Sequence, residues 1–419
     1  MYRSILEIND QNLFIQDQDG DVHSQPGFAL ITERGIETGE EARSKAWHQP
    51  QDAYHDFWRQ LNQTPLPKKY TWARHHADIA YAQLKQMLTL AKSPESLLIV
   101  VPGSFSNEQI SLLLGLINAL GVTVESVIDS ALAACLEQKQ TTVLVELQLH
   151  QSVVSLVEFR NGQQIVSAQD IISNVGILPI YNSVAHHISE VLIENYRYDP
   201  LHTSEGEQAI YDQLPDWLMR LRWEDSVSIT LPTPQGDLNF KLQKSEIDQV
   251  LSQRLKQFKA AIGNHTEANL KFSHGSILIP TLIKKYTKDE VLSVSQTINN
   301  CSTLHHELKG SDLYRITRLT NKSSPKVRQE TQTSVSHLLY DGCAYPLSKP
   351  IGITKAGHNL RITNSNTSDV DFLVTLKDQK LYVQKNTETM NLKIPDQCKP
   401  GEFIILDDKM LLMIGVIDV

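Results

Sequence analysis

A single apolar segment constrains the fold of this chain more than any other feature. Residues 97–102 read LLIVVP, an unbroken apolar run that ends at a proline. A strand that is hydrophobic at every position is typical of a sheet covered by helices on both faces. A helix pattern follows directly, with Ser106 at its N-cap and Gly121 at its C-cap. The sequence therefore predicts an α/β fold around a buried strand.

The segments on either side of this strand alternate between strand and helix patterns. Period-two or continuous apolar runs indicate strands, and apolar residues at helical spacing indicate helices. The strand patterns are residues 4–8, 12–16, 124–127, 143–147 and 153–157, with a hairpin in 225–242 and a buried strand in 270–279. The helix patterns are residues 37–92, which Pro65 and Pro67 break into two parts, 131–136, 177–200 and 243–262. This order is typical of an α/β protein.

The pattern changes in the last quarter of the chain. Residues 319–334 are polar and lack apolar periodicity, which indicates a linker. Short strand patterns without helices follow, at residues 351–354, 359–363, 371–376, 380–384, 402–406 and 410–416. We therefore predict an α/β region at 1–318, a linker at 319–336, and a small all-β sandwich domain at 337–419.

Charge and hydropathy narrow the class of partner. The net charge of −9 argues against general nucleic-acid binding. No apolar run approaches the roughly 18 residues of a membrane-spanning helix, and the N-terminus lacks the pattern of a secretory signal. The four cysteines form no C-x-x-C pair, which indicates reduced thiols in a cytoplasmic protein; they are Cys135, Cys301, Cys343 and Cys398.

Four ordered segments resemble the nucleotide-binding domain of DnaK-type (heat-shock-70-like) chaperones, members of the actin-like ATPase superfamily. They are residues 100–109 (VVPGSFSNEQ), 127–134 (VIDSALAA), 143–158 and 273–280 (SHGSILIP). The resemblance covers roughly residues 1–315. It implies an actin-like two-lobed ATPase fold with ribonuclease H-like subdomains, lobe I at about 1–165 and lobe II at about 166–318.

The resemblance also implies two glycine-rich hairpin turns, because only glycine lets backbone N–H groups approach the phosphates of ATP. In the first hairpin the family has an aspartate where Glu7 stands, followed by glycine and hydroxyl residues. Here Asn9, Asp10 and Gln11 occupy the turn. A negative Asp10 directed at a phosphate would repel it.

The second hairpin departs from the family in the same way. The family has an aspartate where Glu146 stands, then a run of glycines. Gln148, Leu149 and His150 replace those glycines, and of a later Gly-Gly pair only Gly176 remains. Bulky side chains are therefore expected in the space that phosphates would occupy.

The adenosine-binding loop of the family is better preserved. Gly275 and Ser276 match it, whereas His274 replaces a glycine. The resemblance thus implies a vestigial nucleotide site, with no catalytic residue, no resident metal and no resident cofactor, although binding of ATP and Mg²⁺ stays an open alternative. The residues of this vestigial site are Glu7, Asp10, Glu146, Gln148, Gly176, Gly275 and Ser276.

The C-terminal module weakly resembles a forkhead-associated β-sandwich. Ile351-Gly352 and residues 399–406 carry the resemblance, but the arginine that reads phosphothreonine would fall at Ile353. The nearby cations are Lys355, His358 and Arg361. The alternative is the β-sandwich half of a DnaK-type chaperone.

Three pairs of adjacent histidines occur in the chain: His75-His76, His186-His187 and His305-His306. Neighbours on a helix point about 100° apart, so each pair is a poor chelate and a structural role is favoured.

Three functions follow from these patterns. The first is a non-catalytic pseudo-ATPase that acts as a scaffold or adaptor for an unidentified protein partner, with no nucleic acid and no membrane. The second is a nucleotide-binding, chaperone-like ATPase with atypical phosphate loops. The third is a self-assembling actin-like protein; the sequence leaves the oligomeric state open.

Overall fold

A computed structural model of the 419-residue chain describes the greater part of the protein. The described residues are 4–233, 236–263, 268–279, 291–304, 313–320, 335–340, 343–356, 359–363, 370–377, 380–385, 392–394, 402–407 and 409–414. The chain divides into two compact units, Met1–Lys322 and Ser323–Val419. Within the described residues there are nine α-helices and several sheets, so the α/β class is confirmed.

The first unit contains sixteen strands and all nine helices of the described part of the chain. The strands are β1 (Ser4–Glu7), β2 (Leu13–Gln16), β3 (Val22–Gln25), β4 (Ala29–Thr32), β5 (Gly35–Thr38), β6 (Ala53–Tyr54), β7 (Ser96–Val101), β8 (Thr123–Asp129), β9 (Thr142–Leu147), β10 (Gln151–Arg160), β11 (Gln163–Ser173), β12 (Ser226–Leu231), β13 (Leu238–Gln243), β14 (Asn269–Phe272), β15 (Arg315–Ile316) and β16 (Arg318–Thr320). The helices are α1 (Glu40–Arg43), α2 (His76–Leu90), α3 (Asn107–Ala119), α4 (Ser130–Ala134), α5 (Ile177–Tyr196), α6 (Ser204–Arg220), α7 (Lys244–Ser252), α8 (Arg254–Gly263) and α9 (Gln296–Thr303).

Two large sheets of the first unit share one topology. The first large sheet has the order β15-β8-β7-β1-β2-β3, and the second large sheet has the order β14-β9-β10-β11-β16. In each, three consecutive strands form an antiparallel meander, β1-β2-β3 or β9-β10-β11. The first strand of each meander also pairs in parallel with a later strand, β7 or β14. The first unit therefore repeats one strand arrangement.

The strand predicted at residues 97–101 is confirmed as β7, at the centre of the first large sheet. Leu97, Ile99 and Val101 belong to the apolar core that contains residues of α2 and α3. Leu98 and Val100 belong to a different core, which contains residues of α4 and α9. Because its alternate residues enter two cores, β7 has to be apolar at every position.

The predicted N-cap of α3 is also confirmed. The Ser106 side chain accepts a hydrogen bond from the Gln109 N–H at 3.3 Å, and the Gln109 side chain accepts one from the Ser106 N–H at 3.0 Å. This reciprocal pair is a capping box, which satisfies two backbone donors that a helix start leaves unpaired.

We expect Ser106→Ala to lower the free energy of unfolding by about 1 kcal/mol, because the Gln109 N–H loses its acceptor. Urea unfolding followed by circular dichroism measures the change. Ser111→Ala is the matched control, since Ser111 is exposed in the same helix and its hydroxyl only donates to the Asn107 carbonyl. An equal loss in both variants would contradict the capping role.

The helix predicted over residues 37–92 is wrong for much of its length. The structure forms α1 and α2 there, and residues 44–75 are mostly turns and bends. Trp58 and Leu61 are buried from this irregular segment, with 1% and 3% of their surfaces exposed. Their spacing reflects burial against the core of α2 and α3 rather than a helical period.

The predicted linker overlaps the first unit at its start. Residues 319 and 320 belong to β16, which pairs with β11. The backbone at the edge of β11 offers hydrogen-bonding groups that a polar segment can fill without apolar side chains. Residues 321–334 lie outside the described residues.

The second unit consists of strands in its described part. They are β17 (His337–Tyr340), β18 (Cys343–Pro346), β19 (Ile351–Ala356), β20 (Asn359–Thr363), β21 (Phe372–Lys377), β22 (Lys380–Lys385), β23 (Leu392–Lys393), β24 (Phe403–Leu406) and β25 (Lys409–Ile414). They form two sheets, β18-β17-β25-β24-β23 and β20-β19-β21-β22, which contribute to one apolar core. All six predicted strand patterns are found, as β19, β20, β21, β22, β24 and β25.

Candidate functional site

Two turns of the first unit lie in direct contact. The first turn (residues 8–12) joins β1 to β2, and the second turn (residues 148–150) joins β9 to β10. The Asp10 Oδ1 atom accepts the Leu149 N–H at 2.8 Å. The Asn9 side-chain amide donates to the Leu147 carbonyl at 3.3 Å. The two hairpins that the sequence singled out are therefore joined by side chains of the first turn.

Asp10 is fixed at this contact through its backbone as well as its side chain. The residue is buried, and the Asp10 backbone carbonyl accepts the Gly27 N–H at 2.8 Å. Burial raises the pKa of Asp10 to about 6, while the Leu149 N–H and the charge of Arg59 oppose that rise. At neutral pH an ionised carboxylate thus occupies a backbone donor of the second turn.

The second turn also uses the N-terminal donors of α5. The Ile177 N–H donates to the Gln148 carbonyl and the Leu178 N–H to the Leu149 carbonyl, both at 2.9 Å. Free N–H groups at a helix start are a common anion site. Here the turn itself satisfies two of them.

Gly176 allows this close approach of α5 to the second turn. A Cβ atom at Gly176 would lie 2.5 Å from the Leu149 carbonyl oxygen, the His150 carbonyl carbon and the Gln151 nitrogen. Its φ of −127° is accessible to any residue, so the requirement for glycine is steric. Gly176, which the resemblance places at the Gly-Gly pair of the family, therefore serves packing within the protein.

The Gln148 side chain turns toward its own neighbours. It is buried, its Nε2 atom donates to the Ser104 hydroxyl at 3.2 Å, and its Oε1 atom accepts the Gln151 amide at 2.8 Å. These bonds satisfy both ends of the Gln148 amide.

Gly275 and Ser276 lie in a 3-10 helix, His274–Leu278, so the strand predicted over residues 270–279 ends early, at Phe272. The Gln11 side chain lies against Gly275, where a Cβ atom would overlap its amide group. The Ser276 hydroxyl is fully buried and has no hydrogen-bond partner in the described part of the chain. The first turn thus covers the segment that the resemblance assigns to adenosine.

Two cavities adjoin the first turn, each with a volume of about 240 Å³. Gln11 and Asn12 line both, so their side chains lie between the two spaces. The first cavity is also lined by the predicted residues Glu7, Glu146 and Gly275. The second is largely apolar and aromatic, with a lining that includes Phe28, Trp47, Leu149, Ile177, Leu178, Tyr181, Tyr211 and Pro215.

The two glutamates of the first cavity are buried acids. Burial raises the pKa of Glu7 to about 7, against a smaller opposing effect of its hydrogen bond with Thr297. Burial and the nearby Asp129 raise the pKa of Glu146 to about 8, although the Ser130 hydroxyl donates to Glu146 at 2.8 Å. Glu146 is therefore largely protonated at pH 7, and Glu7 about half so.

Asp129 is a third buried acid near Glu146, and it was not among the site residues predicted from the sequence. Its side chain accepts the Ala131 N–H at the start of α4 at 2.8 Å and forms an ion pair with Arg315. The Arg315 guanidinium also donates to the Phe105 carbonyl at 3.1 Å. Asp129 lay inside the segment that carried the family resemblance, but its partner is distant in sequence.

Further contacts join α6 to α1 and to the segment that follows α1, residues 44–47. The rings of Trp47 and Tyr211 stack with centroids 4.0 Å apart. The Gln208 side chain accepts the Trp47 N–H at 3.0 Å and donates to the Arg43 carbonyl at 3.2 Å. No local pattern indicates these pairs, because their members are more than 160 residues apart in the chain.

The second turn carries one more unpredicted contact. The His150 Nε2 atom lies 3.0 Å from the His55 Nδ1 atom. Burial lowers the pKa of His55 to about 4 and also lowers that of His150. Both rings are therefore neutral at pH 7, and the His150 Nε2 atom also lies 3.1 Å from the His55 carbonyl oxygen.

Metal binding finds no support in the described residues. They contain no group of three or more His, Cys, Asp or Glu side chains placed to hold a metal ion. His75 precedes α2 and lies 3.5 Å from the Asp78 carboxylate, while His186 and His187 lie on α5. The third pair, His305-His306, lies outside the described residues.

In the second unit, the predicted phosphate-reading position is apolar. Ile353 is fully buried in β19. The Lys355 ammonium group lies 2.9 Å from the Asp407 carboxylate, and Arg361 is exposed on β20. His358 lies outside the described residues.

Comparison with known proteins leaves the chain without an assigned family. Neither the scan against protein families nor the search of curated proteins finds a match. Within the part of the chain that the structure describes, no helix combines the length and apolar character needed to cross a bilayer.

Proposed function

We propose that this chain is a non-catalytic relative of DnaK-type, actin-like ATPases that serves as a protein-binding scaffold or adaptor. One contact carries the proposal: the Asp10 carboxylate accepts the Leu149 N–H at 2.8 Å. In the ATPases that the sequence resembles, the two turns hold phosphates with their backbone donors. Here an anion of the protein itself takes that role.

The repeated topology of the two large sheets supports the fold part of the proposal. Each contains a three-stranded antiparallel meander whose first strand pairs in parallel with a later strand. Two similarly built halves are what the resemblance to a two-lobed fold with ribonuclease H-like subdomains implies.

The available space also argues against a bound nucleotide. Ligand pockets have volumes of roughly 300–1,000 Å³, whereas the two cavities beside Gln11 are about 240 Å³ each. Joining them requires the Gln11 side chain to leave Gly275. The Trp47–Tyr211 stack meanwhile joins the segment that follows α1 to α6.

A thermal shift experiment tests the proposal. We expect saturating Mg-ATP or Mg-ADP to change the melting temperature by less than about 1 °C, since the turn donors are already occupied. A ligand at one hundred times its Kd would add about 2.7 kcal/mol of stability, which corresponds to several degrees for a domain of this size. Such a rise would favour the alternative of a nucleotide-binding, chaperone-like ATPase.

We place the protein in the cytoplasm as part of the same proposal. Cys135 and Cys301 are buried free thiols in the described part of the chain. Burial raises the pKa of both thiols, which keeps them unreactive. Buried, unpaired cysteines suit a reducing compartment.

A further inference from the structure

The outer edge of β11 is paired at one end only. β11 pairs with β10 from Gln163 to Ser173, with a β-bulge at Ser167. On its other side it pairs with β16 at Gln163, Gln164 and Ile165, and the Val166 N–H donates to the Thr317 carbonyl at 2.9 Å. Beyond this point, along residues 167–173, no strand of the described residues pairs with the outer edge.

This free stretch is accessible and weakly protected. Ser167, Ala168, Asp170, Ile171 and Ser173 are exposed, and half of the Ile171 surface is open. Edge strands that avoid further pairing commonly carry lysine, proline, a β-bulge or a covering loop. Here the bulge lies at Ser167, at the start of the stretch, and residues 168–173 are regular. Residues 167–173 contain no lysine or proline, and Asp170 is their one charge.

A groove of about 690 Å³ lies at the C-terminal end of the same edge. Its lining combines residues at the end of β11 with residues of α5, α7 and α8: Ile171, Ile172, Ser173, Asn174, Val175, Ser183, Val250, Gln253, Arg254 and Gln257. Arg254 is the one charged residue of this lining.

The Arg254 guanidinium is positioned but not neutralised. It donates to the Asn174 carbonyl, and two of its nitrogens donate to the Ser183 hydroxyl at 3.3 and 3.0 Å. Its hydrogen-bond partners among the described residues include no carboxylate, and burial alone lowers its pKa. A guanidinium with five donors retains capacity for a carboxylate in this groove.

We propose that the β11 docking edge, defined as residues 167–173 together with Arg254, binds an extended segment of a partner protein that carries an acidic side chain. The segment pairs with β11 as a further strand of the second large sheet, on the same edge as β16 but beyond its end. The carboxylate of the segment contacts Arg254. Backbone hydrogen bonds supply affinity in this mode of recognition and side-chain pockets supply specificity. The inference rests on the proposed scaffold function and names the surface that it uses.

β16 supports this mode of binding. It is a short segment of the chain itself that already pairs with the first residues of the same edge. The edge is therefore geometrically able to accept an antiparallel strand. Beyond the bulge at Ser167, residues 168–173 pair regularly with β10 and offer the same edge. The charge of the groove, one cation and no acid in its lining, selects an acidic segment.

The test is selection of a phage-displayed random heptapeptide library on the full-length protein. The enriched peptides are then synthesised with a fluorescent label and titrated by fluorescence anisotropy. We expect them to contain Asp or Glu, and to lose binding when alternate backbone nitrogens are methylated. Replacing the acidic residue by its amide should weaken binding by about tenfold or more.

Matched variants locate the binding site. Arg254→Gln and Ile171→Lys are expected to weaken binding by about tenfold or more. Arg34→Gln and Ile193→Lys are the controls, because they remove an exposed arginine and an exposed isoleucine elsewhere. Circular dichroism confirms folding, and Arg254→Lys, which keeps the charge, should retain more binding than Arg254→Gln.

Several results would overturn the docking edge. They are the absence of enriched peptides, enriched peptides without an acidic residue, and binding that Arg254→Gln and Ile171→Lys leave unchanged. Peptides that bind elsewhere on the protein would remove this surface but leave the scaffold function standing. A rise of melting temperature with Mg-ATP would instead contradict the scaffold function, whatever the peptides do.

Discussion

Replacing Gly176 by alanine is expected to destabilise the protein by about 4 kcal/mol or more, or to prevent folding. The added methyl group would lie 2.5 Å from two backbone atoms of the second turn and from the backbone nitrogen of Gln151, which follows it. Backbone atoms cannot rotate away as a flexible side chain can, so α5 would have to separate from the turn. The Ile177 and Leu178 hydrogen bonds to the turn would then be lost.

Urea unfolding and the melting temperature measure this effect. Gly115→Ala is the matched control, because Gly115 lies within α3 and a Cβ atom there meets nothing within 4 Å. That variant should be more stable than the wild type by about 0.5–1 kcal/mol, since alanine favours the helix. If Gly176→Ala also kept the wild-type melting temperature, the contact between α5 and the second turn would not exist in solution.

The second prediction concerns the stability of the protein at alkaline pH. Glu146→Gln should raise the free energy of unfolding by about 4–5 kcal/mol at pH 8.5 and by less than about 1 kcal/mol at pH 5. The folded-state pKa of Glu146 is raised to about 8, from an ordinary value of 4.5. An uncharged amide of the same shape removes the cost of burying the ionised carboxylate.

The sign follows from the protons bound in each state. Between the unfolded pKa near 4.5 and the folded pKa near 8, the native state binds more protons than the unfolded state. The wild type therefore loses stability as the pH rises through this window, and the loss levels off above pH 8. The variant lacks this loss. Glu7, Asp10 and the His55–His150 pair are present in both proteins, so the difference between the two stabilities reports on Glu146.

Urea unfolding at several pH values from 5 to 9 provides the measurement. Glu95→Gln is the control, because Glu95 is exposed at the surface. Its difference from the wild type should stay within about 0.5 kcal/mol at every pH. A difference between Glu146→Gln and the wild type that is constant with pH would contradict a raised folded-state pKa for Glu146.

Local sequence was enough to predict the elements whose causes are local. The β7 strand follows from an unbroken apolar run, and the α3 cap follows from Ser106 and Gln109 three residues apart. Each of these interactions joins residues close in the chain.

Local sequence was misleading where apolar spacing had another cause. Trp58 recurs at helical spacing but is buried from an irregular segment and donates to the Gln83 side chain at 2.7 Å. An apolar side chain at a given position indicates that the position is buried. Buried positions occur in helices and also in irregular segments that cover a core. Periodicity over residues 37–92 therefore predicted too much helix.

The sequence by itself determined the α/β class, the buried central strand, the capped helix after it, and the polar or bulky side chains of two hairpin turns. The tertiary structure alone decided where those side chains point: Asp10 to the Leu149 N–H, Gln11 onto Gly275. It also decided that Glu7 and Glu146 share a cavity. The physical reason is distance along the chain, because these partners are more than 130 residues apart and become neighbours only when the two large sheets fold together.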